Sequence, residues 1–386
     1  MEVESETQLI EVVREARETK RSLEIIGHGT KRAFGRPASG EKLDVSRLSG
    51  VVTYEPEELI LTVKPGTTSL EIEDVLARRN QRLGFEPPEW GPLFGVSGAS
   101  TIGGNVSADA SGPARVRYGA ARDQLLGIRA VNGFGESFKA GGRVVKNVTG
   151  FDIPKLACGA FGTLFVLTEL TFRVFPRSAH QTVLAVHDVV PERGLDLLRR
   201  AWSSPLEPTA LVYIPSGLKV GSLSHTSGTA LIRLEGAKGP LGEKIDALRS
   251  LFAVAVDEAE DGVTLMSAVA NGTAFIGTSD EIWHVHVPPA AAGSIVRALG
   301  HSNWLADWAG ARLWVGTSDA NAGDALKSAA RLARGSAVLV RAEVQRRAAA
   351  PAFAPEDPER AAITRAVKEA FDPLGLFNPG RMFEGI

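Results

Sequence analysis

Residues 96–123 read VSGASTIGGNVSADASGPARVRYGAARD, and residues 142–174 complete the stretch with GRVVKNVTGFDIPKLACGAFGTLFVLTELTFRV. Gly98, Gly103, Gly104, Gly112 and Gly119 fall in its first half, with Ala99, Ser100, Ser107, Ala108 and Ala110 between them. Residues without bulk at Cβ let backbone approach a neighbour closely and accept φ > 0 where the chain turns tightly. A run that is small without being low in complexity suggests backbone packed against something flat or anionic. Its plain alternative is a glycine-rich loop that braces strands.

Upstream, Ser5 with Gln8 makes a capping-box start, and Leu9, Ile10, Val12 and Val13 supply the apolar face of a helix ending near Thr19. A short apolar strand, LEII, then opens into Gly27-His28-Gly29-Thr30, with Lys31 following. Consecutive backbone N–H groups in such a turn form a concavity suited to a pyrophosphate. The third glycine and following helix of a nicotinamide-binding Rossmann turn are missing, so that site is not supported. Residues 43–79 read as strand, turn, strand, a Pro65-Gly66-Thr67 turn, and a helix from Ser69. Downstream, LLGIRAVNGFGESFKA predicts a hairpin turning at Asn132-Gly133. Lys146, Asn147 and Asp152 follow, with a helix from Pro154. Asp152 and Lys155 read as a structural ion pair. Cys158, among Leu156, Ala157, Ala160 and Phe161, reads as a buried small hydrophobe rather than a nucleophile.

A chain of 386 residues has material for two domains. Apolar content of 44% and charged content of 23% suit a soluble globular protein, and a formal net charge of -2 gives no reason to expect nucleic acid. The single cysteine excludes internal disulfides and any iron–sulfur cluster held by this chain's own thiolates. MEVESETQLI is acidic and lacks an apolar h-region, so no signal peptide is expected. No apolar run approaches the roughly 18 residues of a membrane span.

The order of motifs adds a resemblance. TIGGNVSADASG, then RYG, then G-x-D-x-x-K-L-x-x-G-x-x-G-T-L over residues 150–164 resembles the FAD-binding, PCMH-type domain of the vanillyl-alcohol oxidase superfamily. It covers most of residues 20–177 and returns in LFNPGRMF, residues 376–383. It implies an α+β protein with a PCMH-type FAD-binding domain over 1–177, an α+β cap over 178–345, and a segment 346–386 returning to the first domain. FAD would lie along three loops: Gly27, His28, Gly29, Thr30 and Lys31; Pro65, Gly66 and Thr67; and Gly98, Thr101, Gly103, Gly104, Asn105, Ala108 and Gly112. Tyr118, Gly119 and Asn378 would add contacts, Asn378 to the flavin ring. Some superfamily members attach flavin through a histidine just after the second glycine. Thr30 stands there, so FAD is expected to be non-covalent.

Within the superfamily the chain is most similar to the FAD-binding subunits of bacterial glycolate oxidase (glycolate dehydrogenase). That likeness implies oxidation of glycolate to glyoxylate, with the Cα hydride passing to flavin N5 and electrons leaving through partner subunits. A paralogous flavoprotein subunit and an iron–sulfur subunit are the expected partners. The expected location is cytoplasmic, peripheral at the inner face of the membrane only through them. Two alternatives stand beside it: a free-standing FAD-dependent 2-hydroxy-acid or alcohol dehydrogenase, and a flavin-holding assembly subunit without turnover of its own.

Residues 178–345 carry two successive strand–helix–strand–strand–helix runs, which suggest a duplicated ferredoxin-like sheet with helices on one side. In Trp283-His284-Val285-His286-Val287 both histidines share one strand face. They are the only candidate catalytic residues, weak ones, with a wet sheet face as the bland reading; no metal site is expected. The cap lacks the Gly-Asp-Gly-Asn run beside the metal-binding histidines of related D-2-hydroxy-acid dehydrogenases, which weighs against an autonomous active site. Arg115, Arg117, Arg233, Arg312 and Arg341 are candidate carboxylate partners that read more simply as surface or interdomain ion pairs.

Overall fold

Leu23–Ile26 (β1) runs parallel to Glu41–Asp44 (β2), pairing Leu23 with Glu41. The computed structural model describes residues 1–143, 150–221, 227–299, 303–319, 321–349, 352–353, 357–383 and 386; Lys146 and Asn147 lie outside the described residues. Its chain divides into two units. One comprises residues 1–111, 120–176 and 344–386, and the other residues 112–119 and 177–343.

In the first unit, helix Glu6–Glu18 starts as its sequence suggests, with Ser5 Oγ accepting the Gln8 N–H at 3.2 Å. The reciprocal bond is displaced by one residue: Gln8 Oε1 accepts the Glu4 N–H at 2.8 Å. Val51–Glu55 (β3) and Ile60–Val63 (β4) form an antiparallel hairpin before the Pro65 turn. Gln81–Arg82 (β5) pairs later in the chain. Leu125–Asn132 (β6), Ser137–Gly141 (β7) and Phe165–Arg173 (β8) complete an antiparallel sheet of order β3-β4-β8-β6-β7. Phe175–Pro176 (β9) pairs with β5. The β6–β7 hairpin turns differently from the expectation. Gly135, not Gly133, takes the left-handed conformation (φ 72). Gly133 is small for another reason: a Cβ there would stand 2.6 Å from Asp372 Oδ1, and its N–H donates to Phe371 O at 2.8 Å.

The C-terminal segment is built into this unit. Leu23 N–H donates to Leu376 O at 2.7 Å and Asn378 N–H to Leu23 O at 2.9 Å, so residues 376–378 run beside β1. The turn that presents them is fixed by Asp372, whose carboxylate accepts the N–H groups of Leu376 (2.9 Å) and Phe377 (2.8 Å) and the Lys368 ammonium (2.6 Å). Lys368 Nζ also donates to Thr163 O at 2.5 Å and Phe377 O at 3.2 Å. Removing one side of a buried ion pair leaves the other charge uncompensated. Asp372→Ala is therefore expected to destabilise the chain by about 3–5 kcal/mol, measured by denaturant unfolding.

The second unit holds an eight-stranded sheet. Its strands are His180–Val186 (β10), Ala210–Ile214 (β11), Thr229–Gly236 (β12), Asp257–Glu258 (β13), Glu281–His286 (β14), Asn303–Asp307 (β15), Arg312–Thr317 (β16) and Ser336–Arg341 (β17). The order is β13-β10-β12-β11-β15-β16-β14-β17, antiparallel throughout. Numbered within itself, each half reads 4-1-3-2, with helices Pro191–Trp202 and Lys238–Phe252 in the first and Ala292–Ala298 and Ala322–Leu332 in the second. That is the ferredoxin-like order, present twice. Helix Gly262–Ala270, between the halves, has no counterpart in the sequence reading.

Candidate functional site

The described residues of the first unit enclose a cleft of about 110 Å³. One wall comes from the turn after β1. Gly29 takes φ 71, and Thr30 Oγ1 lies 3.1 Å from Ser100 Oγ. The second wall is the small-residue stretch, which is not an open loop: Ile102–Ser107 is a short helix capped by Thr101, whose hydroxyl accepts the Gly104 N–H at 3.3 Å. A Cβ on Gly103 would stand 2.7 Å from Pro65 Cβ and 3.0 Å from Pro65 O, so this glycine serves packing. Gly104 is different. Beyond its own helix backbone, the one neighbour among the described residues within 4 Å of an added Cβ would be Thr101 Oγ1, at 3.1 Å, and Gly104 lines the cleft. Phe161 and Gly162 form a third wall. Gly162 (φ 65) backs directly on Asn378, whose Nδ2 would be 2.8 Å from an added Cβ.

Of the nominated residues, Gly27, Gly29, Thr30, Lys31, Pro65, Thr101, Gly103, Gly104, Ala108 and Asn378 line the cleft. The others sit elsewhere. His28 is exposed, its Nδ1 2.9 Å from Ala99 O. Gly66 is enclosed by backbone, with Ser46 O 2.1 Å from an added Cβ, and Thr67 Oγ1 bonds Lys64 O and the Gly50 N–H. Gly98 takes φ 104 outside the cleft. Asn105 is buried, its Nδ2 donating to Ser69 Oγ at 2.8 Å. Gly112, Tyr118 and Gly119 belong to the second unit, where Tyr118 OH reaches Glu235 at 3.4 Å. Asn378 is a clamp: its Oδ1 accepts the Ile25 N–H (2.8 Å) and its Nδ2 donates to Phe161 O (2.7 Å). Both ends of its amide are engaged by backbone, Nδ2 also reaching Gly162 O at 3.3 Å, which fixes the residue in the wall of the cleft.

Of the charged residues that line the cleft, Lys31 was nominated and Glu24, Arg32 and Arg381 were not. Lys31 is buried, its Nζ donating to Ser100 Oγ at 2.8 Å and lying 5.8 Å from the Trp90 ring centroid. Burial brings its pKa down to about 7, against a smaller upward pull from Glu89. Arg32 makes a two-pronged pair with Glu24, both bonds 2.7 Å. Arg381 reaches in from the C-terminal segment and donates to Lys31 O at 3.3 Å. The Asn-Pro-Gly-Arg motif contained the signal for Arg381, but the sequence alone did not indicate that its side chain turns inward.

Cys158 is half-buried, with Sγ 3.6 Å from Pro154 O, and burial pushes its thiol pKa up. Thiol reagents act on the thiolate. The native chain is therefore expected to resist a disulfide reagent at neutral pH and to label only when unfolded, by absorbance of the released thiol. Asp152 and Lys155 form an exposed ion pair at 2.8 Å.

In the second unit His284 and His286 do share a face, ring centroids 5.9 Å apart, but it is largely covered: His284 is buried and His286 half-buried. His284 is 4% exposed with its ring edge-on to Trp314 (4.1 Å), and His286 stacks on Trp308 (5.8 Å). Burial, then the Arg312 charge, lowers both pKa values, His284 well below the usual range and His286 to about 3. Both imidazoles are neutral at pH 7 and weakly basic. Arg312 is no surface residue: it is buried, 2.5 Å from Asp307 and 3.8 Å above the Trp308 ring. Arg233 is likewise buried, 3.3 Å from Glu235, whereas Arg117 pairs at the surface with Glu207 at 2.8 Å. Arg115 lies 4.5 Å over the Trp308 ring, and Arg341 donates to Ser279 O. Among the described residues no three His, Cys, Asp or Glu side chains converge to hold a metal ion. No described helix is long and apolar enough to cross a membrane.

Comparisons agree with this architecture. Residues 1–141 match the FAD binding domain family. The glycolate oxidase subunit GlcE of Escherichia coli (strain K12) is 31% identical over 376 residues, 97% of this chain and 96% of that protein. The glycolate oxidase subunit GlcD of Bacillus subtilis (strain 168) is 27% identical over 220 residues, 54% of this chain and 45% of that one. Among solved structures, substrate-bound p-cresol methylhydroxylase superposes with a TM-score of 0.73 at 14% identity, covering all of this chain and 88% of that one, which establishes the shared fold. With a nearly full-length match above 30% identity, a PCMH-type fold and the glycine-lined cleft in the matched domain, the chain belongs to the family of the glycolate oxidase subunit GlcE.

Proposed function

We propose that this chain binds FAD non-covalently in the cleft of its first unit and serves as the FAD-binding subunit of a complex that oxidises glycolate to glyoxylate. The observation that carries the reading is Gly104: lining a cleft with no more than one side-chain atom near its missing Cβ, it leaves the space a close-lying ligand needs. The residues present fit FAD. Gly29, Thr30 and Thr101 offer backbone and hydroxyl groups, and Lys31 and Arg381 supply positive charge for a diphosphate.

FAD supplies, when bound, an acceptor for the two electrons released as an alcohol becomes a carbonyl. The protein's part is to hold and orient it: Thr30, Thr101 and Lys31 along one wall, with Asn378 fixing the opposite turn through Phe161. Partner subunits, a paralogous flavoprotein and an iron–sulfur protein, would take the electrons onward, because one cysteine cannot ligate a cluster.

A second reading, a flavin-holding subunit without its own turnover, is favoured by the weak basicity of His284 and His286. A base whose pKa lies near 3 is poorly matched to removing a hydroxyl proton at neutral pH. The test is the visible spectrum of the purified chain before and after anaerobic glycolate, alone and with the paralogous flavoprotein. Bleaching of the chain alone would assign it a complete active site; bleaching only with the partner would assign turnover to the assembly. A chain that takes up no flavin would overturn both readings.

A further inference from the structure

The strongest feature outside the glycine motifs is an excess of buried positive charge at the C-terminal side of the cleft. Arg381 is 7% exposed. Its backbone is tied at both ends: its N–H donates to Asn378 O at 3.1 Å and its carbonyl accepts the Arg36 N–H at 3.0 Å. Its side chain spends one nitrogen on Lys31 O, and its buried Nε has no hydrogen-bond partner among the described residues. Arg347, also 7% exposed, gives one bond to Gly35 O at 3.0 Å, and its Nε is likewise buried without a partner among the described residues. The Lys31 ammonium is a third buried cation, with the Glu89 carboxylate acting on it; Arg32 is exposed and is answered by Glu24 through two bonds of 2.7 Å.

Burial of Arg381 lowers its pKa to about 10, with the Glu24 carboxylate pulling upward and the charges of Arg347 and Arg32 adding to the decrease. A buried guanidinium with an unused N–H, crowded by like charges, is costly unless an anion neutralises it. Guanidinium groups match phosphate oxygens in geometry as well as charge.

We propose that Arg381, carried into the cleft by the C-terminal segment and supported by Lys31, is the recognition residue for the diphosphate of the bound cofactor. The inference rests on the FAD reading and adds to it: the glycine loops supply room, and the tail supplies charge. Arg347 is a positioning residue that holds the Gly35 turn beside Arg381. The ligand chemistry is a phosphoric anhydride, which inorganic pyrophosphate shares with the cofactor.

The experiment titrates the full-length apo chain with FAD, riboflavin and inorganic pyrophosphate, by flavin fluorescence and calorimetry, for wild type, Arg381→Gln and Arg381→Lys. Thermal melting of each variant reports folding. The expected result is a loss of FAD affinity of about 10- to 100-fold in Arg381→Gln, with partial recovery in Arg381→Lys. Riboflavin affinity should stay unchanged, and pyrophosphate should compete with FAD in wild type only. If FAD and riboflavin weaken together and melting falls, Arg381 is only a clamp on the Lys31 carbonyl and the inference is overturned. Undiminished FAD affinity in a folded Arg381→Gln chain overturns it as well. If Arg381→Gln does not fold, Arg381→Lys decides through its FAD-to-riboflavin ratio. Wild type that binds no FAD defeats the cofactor reading itself, a separate outcome.

Discussion

Gly104→Leu yields a folded protein without flavin. The position is helical, its φ is not left-handed, and among the described residues an added Cβ meets only the capping Thr101 hydroxyl, at 3.1 Å, which has to give by a few tenths of an ångström, so the substitution should cost the fold little. The rest of the leucine side chain then occupies the cleft. FAD affinity should fall on the order of 100-fold or more, since a displaced ligand cannot recover its contacts by small shifts in a densely packed wall. Gly66→Ala is the contrasting case: its methyl would stand 2.1 Å from Ser46 O and 2.8 Å from Leu48 O, both backbone. That variant should lose stability along with flavin. Circular dichroism melts and the visible absorbance of the purified chains separate the two. Equal flavin content in wild type and Gly104→Leu would mean the cofactor lies elsewhere.

The second large effect belongs to Lys31. In the apo chain its pKa is about 7 against an ordinary 10.5, so the unfolded chain holds the proton more tightly than the native one. The destabilisation is therefore complete below pH 7 and is relieved as pH rises from about 7 to 10.5. The gap corresponds to a cost on the order of 5 kcal/mol at pH 6. Lys31→Met should raise the melting temperature of the apo chain at pH 6 and do so much less at pH 9. A bound diphosphate reverses the balance by favouring the charged ammonium, with Glu89 pulling the same way. FAD affinity should then weaken above pH 7 by up to about tenfold per pH unit, with proton uptake on binding. Lys31→Met should flatten that profile. Titrations at several pH values in two buffers of different ionisation enthalpy measure both quantities.

The sequence made the architecture legible where pattern and local chemistry agreed. Short apolar runs separated by helical segments marked the strands of both ferredoxin-like halves, because most of these strands are buried along nearly their whole length. Residues 252–281 were silent, since helix Gly262–Ala270 is apolar on most sides and has no partner in a repeat. The glycines were visible as a group, but their separate duties were not. Gly103 and Gly66 are small because backbone or Pro65 stands against them, while Gly104 faces the cleft, and only coordinates distinguish those cases. His284 and His286 illustrate the opposite difficulty. Their shared face followed from strand geometry, whereas its partial covering depends on Trp308 and Trp314, remote in sequence. Arg381 was unreadable for the same reason: a residue after a Pro-Gly turn shows no sign of where its side chain goes.

The discontinuity of the first unit bears on the order of biosynthesis. Every strand of the eight-stranded sheet is encoded before residue 344, so that sheet can close while the ribosome is still translating the remainder. The first unit cannot finish then. Its strand β1 waits for residues 376–378, and the cleft waits for Arg381. Cofactor loading thus becomes a late event in the life of the polypeptide, and a chain whose synthesis stalls after residue 343 would carry a finished sheet beside an unfinished cleft.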